Sequence, residues 1–120
     1  MSFIYLIITI LISINIQNVT EMIFMFSGCN SLISLDLSNF NAQNITNIGY
    51  MFYNCNSLTS IDLSNFNTQI LYNINSIFEN CNSLTSVELP NFNNQNNIEM
   101  DDMFFGCNSL ILKCFNKLNS

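Results

Sequence analysis

One period constrains this chain more than any other property. The tetrapeptide Cys-Asn-Ser-Leu begins at Cys29, Cys55, Cys81 and Cys107, each 26 residues after the last. Between these anchors the text recurs as SLISLDLSNFNAQNIT, SLTSIDLSNFNTQILY and SLTSVELPNFNNQNNI. Upstream, INIQNVT from Ile14 matches FNAQNIT from Phe40. Asn and Ile are heavily used, but a biased composition does not enforce a register. A fixed period of this length marks an architecture in which copies of one small unit stack on each other.

The columns define the unit. Leu35, Ile61 and Val87 align, and two residues on so do Leu37, Leu63 and Leu89. Residues i and i+2 share one face of a strand. Leu32, Leu58, Leu84 and Leu110 precede them, and Phe40, Phe66 and Phe92 follow. Each unit therefore carries a short half-buried strand. Its second half spaces apolar residues at i, i+3, i+6 and i+7: Val19, Met22, Met25 and Phe26, then Ile45, Ile48, Met51 and Phe52, then Leu71, Ile74, Ile77 and Phe78. That stripe predicts a short helix. Asn18, Asn44 and Asn96 stand where a cap is needed, with Glu21 and Glu99 three residues later. Ile70 holds the cap position in the third unit, which predicts the weakest helix start there. Gly28, Asn54, Asn80 and Gly106 precede the cysteines and tolerate the left-handed conformation that ends a helix.

One strand and one short helix cannot bury their apolar sides alone, because isolated helices of that length are marginal. Stacking turns each column into a continuous spine. The expectation is an α/β solenoid of about four repeats in a single domain, with a short parallel β-sheet on one face and short helices on the other. Its strand-to-strand crossovers should be right-handed.

The pattern M-F-x-x-C-x-S-L-x-x-L-D-L-S-x-F-N resembles that of the BspA-like leucine-rich-repeat surface proteins. In the second unit Met51-Phe52, Cys55, Ser57-Leu58, Ile61-Asp62-Leu63-Ser64 and Phe66-Asn67 carry the match. Glu88-Leu89-Pro90 in the third looks like the related LP form. The resemblance covers about residues 15–112. It implies a leucine-rich-repeat solenoid, cell-surface or secreted placement, and adhesion or protein-interaction roles, with no conserved catalytic residue.

Both ends depart from the unit. Residues 1–14 include the apolar run FIYLIITILISI, shorter than the roughly 20 residues of a membrane-spanning helix. The run has the length of a signal-peptide core but lacks a basic start and a small-residue cleavage site. Leu6, Leu11 and Ile14 also sit on core columns, so the alternative is a capping strand. The repeat region occupies 15–112. In 113–120, Lys113, Cys114 and Phe115 break the register, as a degenerate cap or a truncation would.

Composition excludes several chemistries. Eight acids against two bases, Lys113 and Lys117, give a formal charge of −6, the opposite of what phosphate-backbone binding needs, so no nucleic-acid partner is expected. The chain has no His, which removes His-based catalysis and His-ligated metals. Four of the five cysteines share one repeat position, and such long spacings do not converge on a metal. Parallel-pointing neighbours also suit a disulfide poorly. A ladder of buried free thiols is the favoured reading. The amide columns Gln17, Gln43, Gln69, Gln95 and Asn15, Asn41, Asn67, Asn93, Asn119 read as structural hydrogen-bonding rows. Asn18-Val-Thr20 and Asn44-Ile-Thr46 are glycosylation sequons whose Asn residues capping alone explains. No acid–base or nucleophile constellation appears, so no enzyme, cofactor or metal is expected.

The candidate site is the outward face of the sheet. Alternation turns Ser34, Asp36 and Ser38, then Ser60, Asp62 and Ser64, then Ser86 and Glu88, away from the core, with Pro90 closing the row. Stacking places Asp36, Asp62 and Glu88 about 4.8 Å apart, so this acidic column must be exposed and should favour a basic partner. The expectation is a repeat-type interaction or adhesion module that binds a protein or other surface ligand through this face. Stacking with further repeats is possible, and no transmembrane span is expected. The alternative is a structural or fragmentary repeat segment with no binding activity of its own.

Overall fold

The computed structural model describes residues 18–67, 69–90 and 97–112. The expectations for residues 1–14 and 113–120 lie outside these, as do those for Asn15, Gln17, Phe92, Asn93, Gln95 and Asn96. Three short strands, β1 (Ser34–Leu35), β2 (Ser60–Asp62) and β3 (Ser86–Glu88), form a parallel sheet in the order β1-β2-β3. The register equals the repeat: Ser34 pairs with Ser60 and Ser60 with Ser86, while Leu35 pairs with Ile61 and Ile61 with Val87. Equivalent residues of successive units are therefore neighbours in space. The core follows from that register, because Leu32, Leu35, Leu37 and Phe40 are buried together with their partners Leu58, Ile61, Leu63 and Phe66.

The helices expected opposite the sheet do not form. Residues 22–28 and their repeats run as linked turns, closed by bonds such as Met25 N–H to the Met22 carbonyl and Cys29 N–H to the Phe26 carbonyl. Two columns have positive φ: Phe24, Tyr50, Ser76 and Asp102 at 53–59°, and Gly28, Asn54, Asn80 and Gly106 at 60–78°. Each stands third in its turn, where a type II geometry requires that conformation. The second column is the one that the Gly and Asn residues signal.

The reason for turns over helices lies in the next unit. Met22, Phe24, Phe26 and Gly28 donate their N–H groups to the carbonyls of Asn47, Gly49, Met51 and Tyr53, at 2.7–3.3 Å. The same rows join Ile48, Tyr50, Phe52 and Asn54 to Asn73, Asn75, Ile77 and Glu79, and Ile74, Ser76, Phe78 and Asn80 to Glu99, Asp101, Met103 and Phe105. A one- or two-turn helix must overcome its nucleation cost within one unit. A neighbouring unit instead offers a fixed row of acceptors and satisfies every second N–H directly. The apolar spacing nevertheless reports burial correctly in the middle units: Ile45, Ile48, Met51 and Phe52, and Leu71, Ile74, Ile77 and Phe78, are all buried. In the first unit Val19 and Met25 are exposed.

Two further departures concern the third and fourth units. Pro90, expected on the outward row, is buried beside Leu63, Leu71 and Met103. Residues 108–112 are helical, with Ile111 N–H bonded to the Cys107 carbonyl. Leu112 lies one repeat after Ser86, so helix stands where the register would begin another strand. Leu-Ile-Leu-Lys replaces the alternating apolar and polar residues there, and Leu and Lys are strong helix formers. The turn rows thus span four units while the described sheet has three strands.

Stacked side chains fill the space between sheet and turns. Phe26, Phe52, Phe78 and Phe104 form one pile, with ring centroids 5.5, 5.8 and 5.7 Å apart and planes within 11° of parallel. No helix among the described residues is long and apolar enough to cross a membrane.

Candidate functional site

The strand alternation that buries Leu35 and Ile61 exposes all eight candidate residues, Ser34, Asp36, Ser38, Ser60, Asp62, Ser64, Ser86 and Glu88. Ser34, Ser60 and Ser86 form one row, and Asp62 pairs across the sheet with Glu88. Four of the eight converge. Asp36, Ser38, Asp62 and Ser64, with Asn65, line a depression of about 250 Å³ that the backbone bearing the inward-facing Leu35 and Leu37 also borders. Ser34, Ser60, Ser86 and Glu88 lie outside that depression.

The acids of this rim also shape their own backbone. The Ser38 N–H donates to Asp36 Oδ1 at 2.9 Å, and the Ser64 N–H to Asp62 Oδ1 at 2.8 Å. This i to i+2 bond is the Asx-turn device, which bends the chain out of the strand. The hydroxyl and then the backbone N–H of Ser38 hold the Asp36 carboxyl below its usual range. Ser64 does the same for Asp62, against a weaker opposing push from Asp36. Both carboxylates therefore stay ionised at neutral pH. The third unit replaces both partners at once. Glu88 is one methylene longer, and Pro90 has no N–H to give.

Asn65 is the rim residue that the alternation argument misses, because it lies past the strand. Its Nδ2 donates to the carbonyls of Leu37 and Phe40 at 3.0 and 2.8 Å, tying its unit to the one before. The repeated Ser-Asn-Phe at 38–40 and 64–66 was the available signal. The other amide columns are structural as well. Asn41 and Asn67 accept the N–H groups of Gln43 and Gln69, and Asn47 and Asn73 accept those of Gly49 and Asn75. With no helix to cap, Asn18 and Asn44 are not helix caps. The Thr46 hydroxyl donates to the Thr20 carbonyl across units.

The cysteine column is a ladder of free thiols. Cys55, Cys81 and Cys107 are buried, and Cys29 is half-buried. Each buried thiol donates to a carbonyl of the preceding unit: Cys55 to Phe26, Cys81 to Phe52 and Cys107 to Phe78, at 2.9–3.0 Å. Burial pushes Cys55 up to about 11 and Cys81 up to about 12, and raises Cys29 and Cys107 too. Such thiols are poor nucleophiles at neutral pH. Among the described residues, no three Cys, Asp or Glu side chains gather in a way that could hold a metal ion.

These observations define a class: a small protein of in-register repeats around a narrow parallel sheet, with one polar, acidic face. A family model described as "Mycoplasma protein of unknown function, DUF285" matches residues 7–116, and the chain belongs to that family. No curated protein and no solved structure matches the chain.

Proposed function

We propose that this chain is a leucine-rich-repeat-type solenoid of about four units, akin to the BspA-like surface proteins. In this reading it is secreted or displayed at the cell surface, where it serves as an interaction or adhesion module. It binds a protein or other surface ligand of basic character through its sheet face and performs no catalysis. The observation that carries the proposal is the exposed acidic row, with Asp36 and Asp62 flanking one depression. A basic side chain there would meet the Asp36 and Asp62 carboxylates, with the exposed Ser38 and Ser64 beside them. Stability alone does not call for a like-charged column, since neighbouring acids repel.

The test exploits the turn geometry. Changing Asp36 and Asp62 to Asn and Glu88 to Gln keeps a side-chain oxygen at each site, so the Ser38 and Ser64 bonds survive. Binding of an immobilised lysine-rich peptide by the triple variant is expected to fall severalfold at low salt, and by less at physiological salt because exposed charges are screened. The urea midpoint should not fall. Unchanged binding at both salt concentrations would move the interaction away from this face.

A further inference from the structure

The turn rows have a direction. Within the turn segments, at all three junctions, the earlier unit supplies N–H groups and the later unit supplies carbonyls, while the single bonds just before them, Thr46 to Thr20, Tyr72 to Thr46 and Glu99 to Tyr72, run the other way. The first unit therefore presents the carbonyls of Glu21, Ile23, Met25 and Ser27, equivalents of the acceptors Asn47, Gly49, Met51 and Tyr53. The fourth presents the N–H groups of Met100, Asp102, Phe104 and Gly106, equivalents of the donors Ile74, Ser76, Phe78 and Asn80. Asp102 and Gly106 have φ of 55° and 78°, the backbone conformation of the paired rows. Among the described residues neither end row is paired.

Apolar side chains lie open beside both rows. Met100 is 41% exposed where Ile74 is 2%, and Phe104 is only half-buried where Phe78 is fully buried. At the other end Met25 is 39% exposed where Met51 is fully buried, and Phe24 is 53% exposed.

We infer that copies of this chain associate head to tail, the amide row of Met100, Asp102, Phe104 and Gly106 in one copy meeting the carbonyl row of Glu21, Ile23, Met25 and Ser27 in the next. The occupant follows from continuity: a second copy offers each end turn row the partner that a turn row meets at every internal junction. Polarity excludes pairing of like turn rows, because two donor rows or two acceptor rows cannot bond to each other. The contact is heterologous and leaves one free end of each kind, so it continues into open chains rather than closing as a dimer. It does not depend on the sheet-face reading. Glu99 of one copy approaches Glu21 of the next, so added salt strengthens the association by screening that repulsion.

Sedimentation velocity of the full chain over rising concentration, at low and high salt, tests this. The expected result is a mass that climbs past the dimer and climbs further in high salt. Met25→Glu blocks only the carbonyl end and Met100→Glu only the amide end. Each variant alone should remain monomeric, with a circular dichroism spectrum and urea midpoint close to the parent's. Their mixture should form dimers and nothing larger, because each retains the complementary end. A monomer at every concentration overturns the inference; this is the result if flanking segments or further repeats already cover the rows. So does a closed dimer that either variant leaves intact.

Discussion

Replacing Phe52 by Ala is expected to destabilise the protein by about 3–5 kcal/mol, the usual cost of removing a buried phenylalanine. Phe52 is fully buried and stacks on Phe26 at 5.5 Å and on Phe78 at 5.8 Å. Both neighbours belong to other units, so the cavity would open at the centre of the pile, where no single unit can collapse to fill it. Domains of this size have about 5–15 kcal/mol in total, so most of the stability is at stake. Phe104 provides the comparison. It has one described stacking partner, Phe78 at 5.7 Å, and is already half-buried. Its replacement by Ala should cost clearly less. Urea titrations with unchanged slopes would report the difference as midpoints. Equal midpoints for the two variants would mean that the pile does not transmit stability between units.

The strands were legible because two signals agree on them. Leu35 and Leu37, Ile61 and Leu63 alternate with polar residues, and the 26-residue period dictates which strand lies beside which. The turn segment was legible only as a burial pattern. Ile45, Ile48, Met51 and Phe52 face inward whether the backbone is a helix or a run of linked turns, so periodicity does not separate the two. The distinguishing feature is the left-handed column, and half of it is hidden. Asn54 and Gly106 announce positive φ by residue type, but Phe24 and Tyr50 do not, since such residues rarely adopt it. The acceptors that favour turns are also a whole unit away, beyond any local window.

The site shows the same division. Outward orientation follows from strand alternation, and every residue from Ser34 to Glu88 assigned to that face is exposed. Convergence does not follow from alternation. Asp36, Ser38, Asp62 and Ser64 share a rim because Asx turns lift the chain at the strand ends, and Asn65 joins them through bonds to the previous unit. The change from Asp-Leu-Ser to Glu-Leu-Pro is the sequence trace of that turn, two partners lost together. Pro90 departs from the outward row for the same reason. Without the turn, its ring packs into the core beside Leu63.

The thiol ladder makes stability depend on alkaline pH, and the sign is fixed by the direction of the shifts. Cys55 and Cys81 ionise at about 11 and about 12 in the folded chain, above the ordinary 9.0. Between those limits the folded chain holds protons that the unfolded chain has released, so stability falls as pH rises. The contribution is complete below pH 9.0 and is lost progressively towards about 12. A buried thiolate would also forfeit its donated bond to the Phe26 or Phe52 carbonyl and set negative charge against that oxygen. Urea midpoints should therefore drop steeply above about pH 9, where unfolded thiols ionise. The double variant Cys55→Ala with Cys81→Ala should be less stable at neutral pH, by about 1–3 kcal/mol for the lost packing and hydrogen bonds. Its midpoint should nevertheless decline more shallowly with alkali than the parent's. Alkylation of the native chain at neutral pH should modify half-buried Cys29 ahead of Cys55, Cys81 and Cys107. Parallel alkaline declines in parent and variant, or equally rapid labelling of all four thiols, would show that the column does not couple protonation to folding.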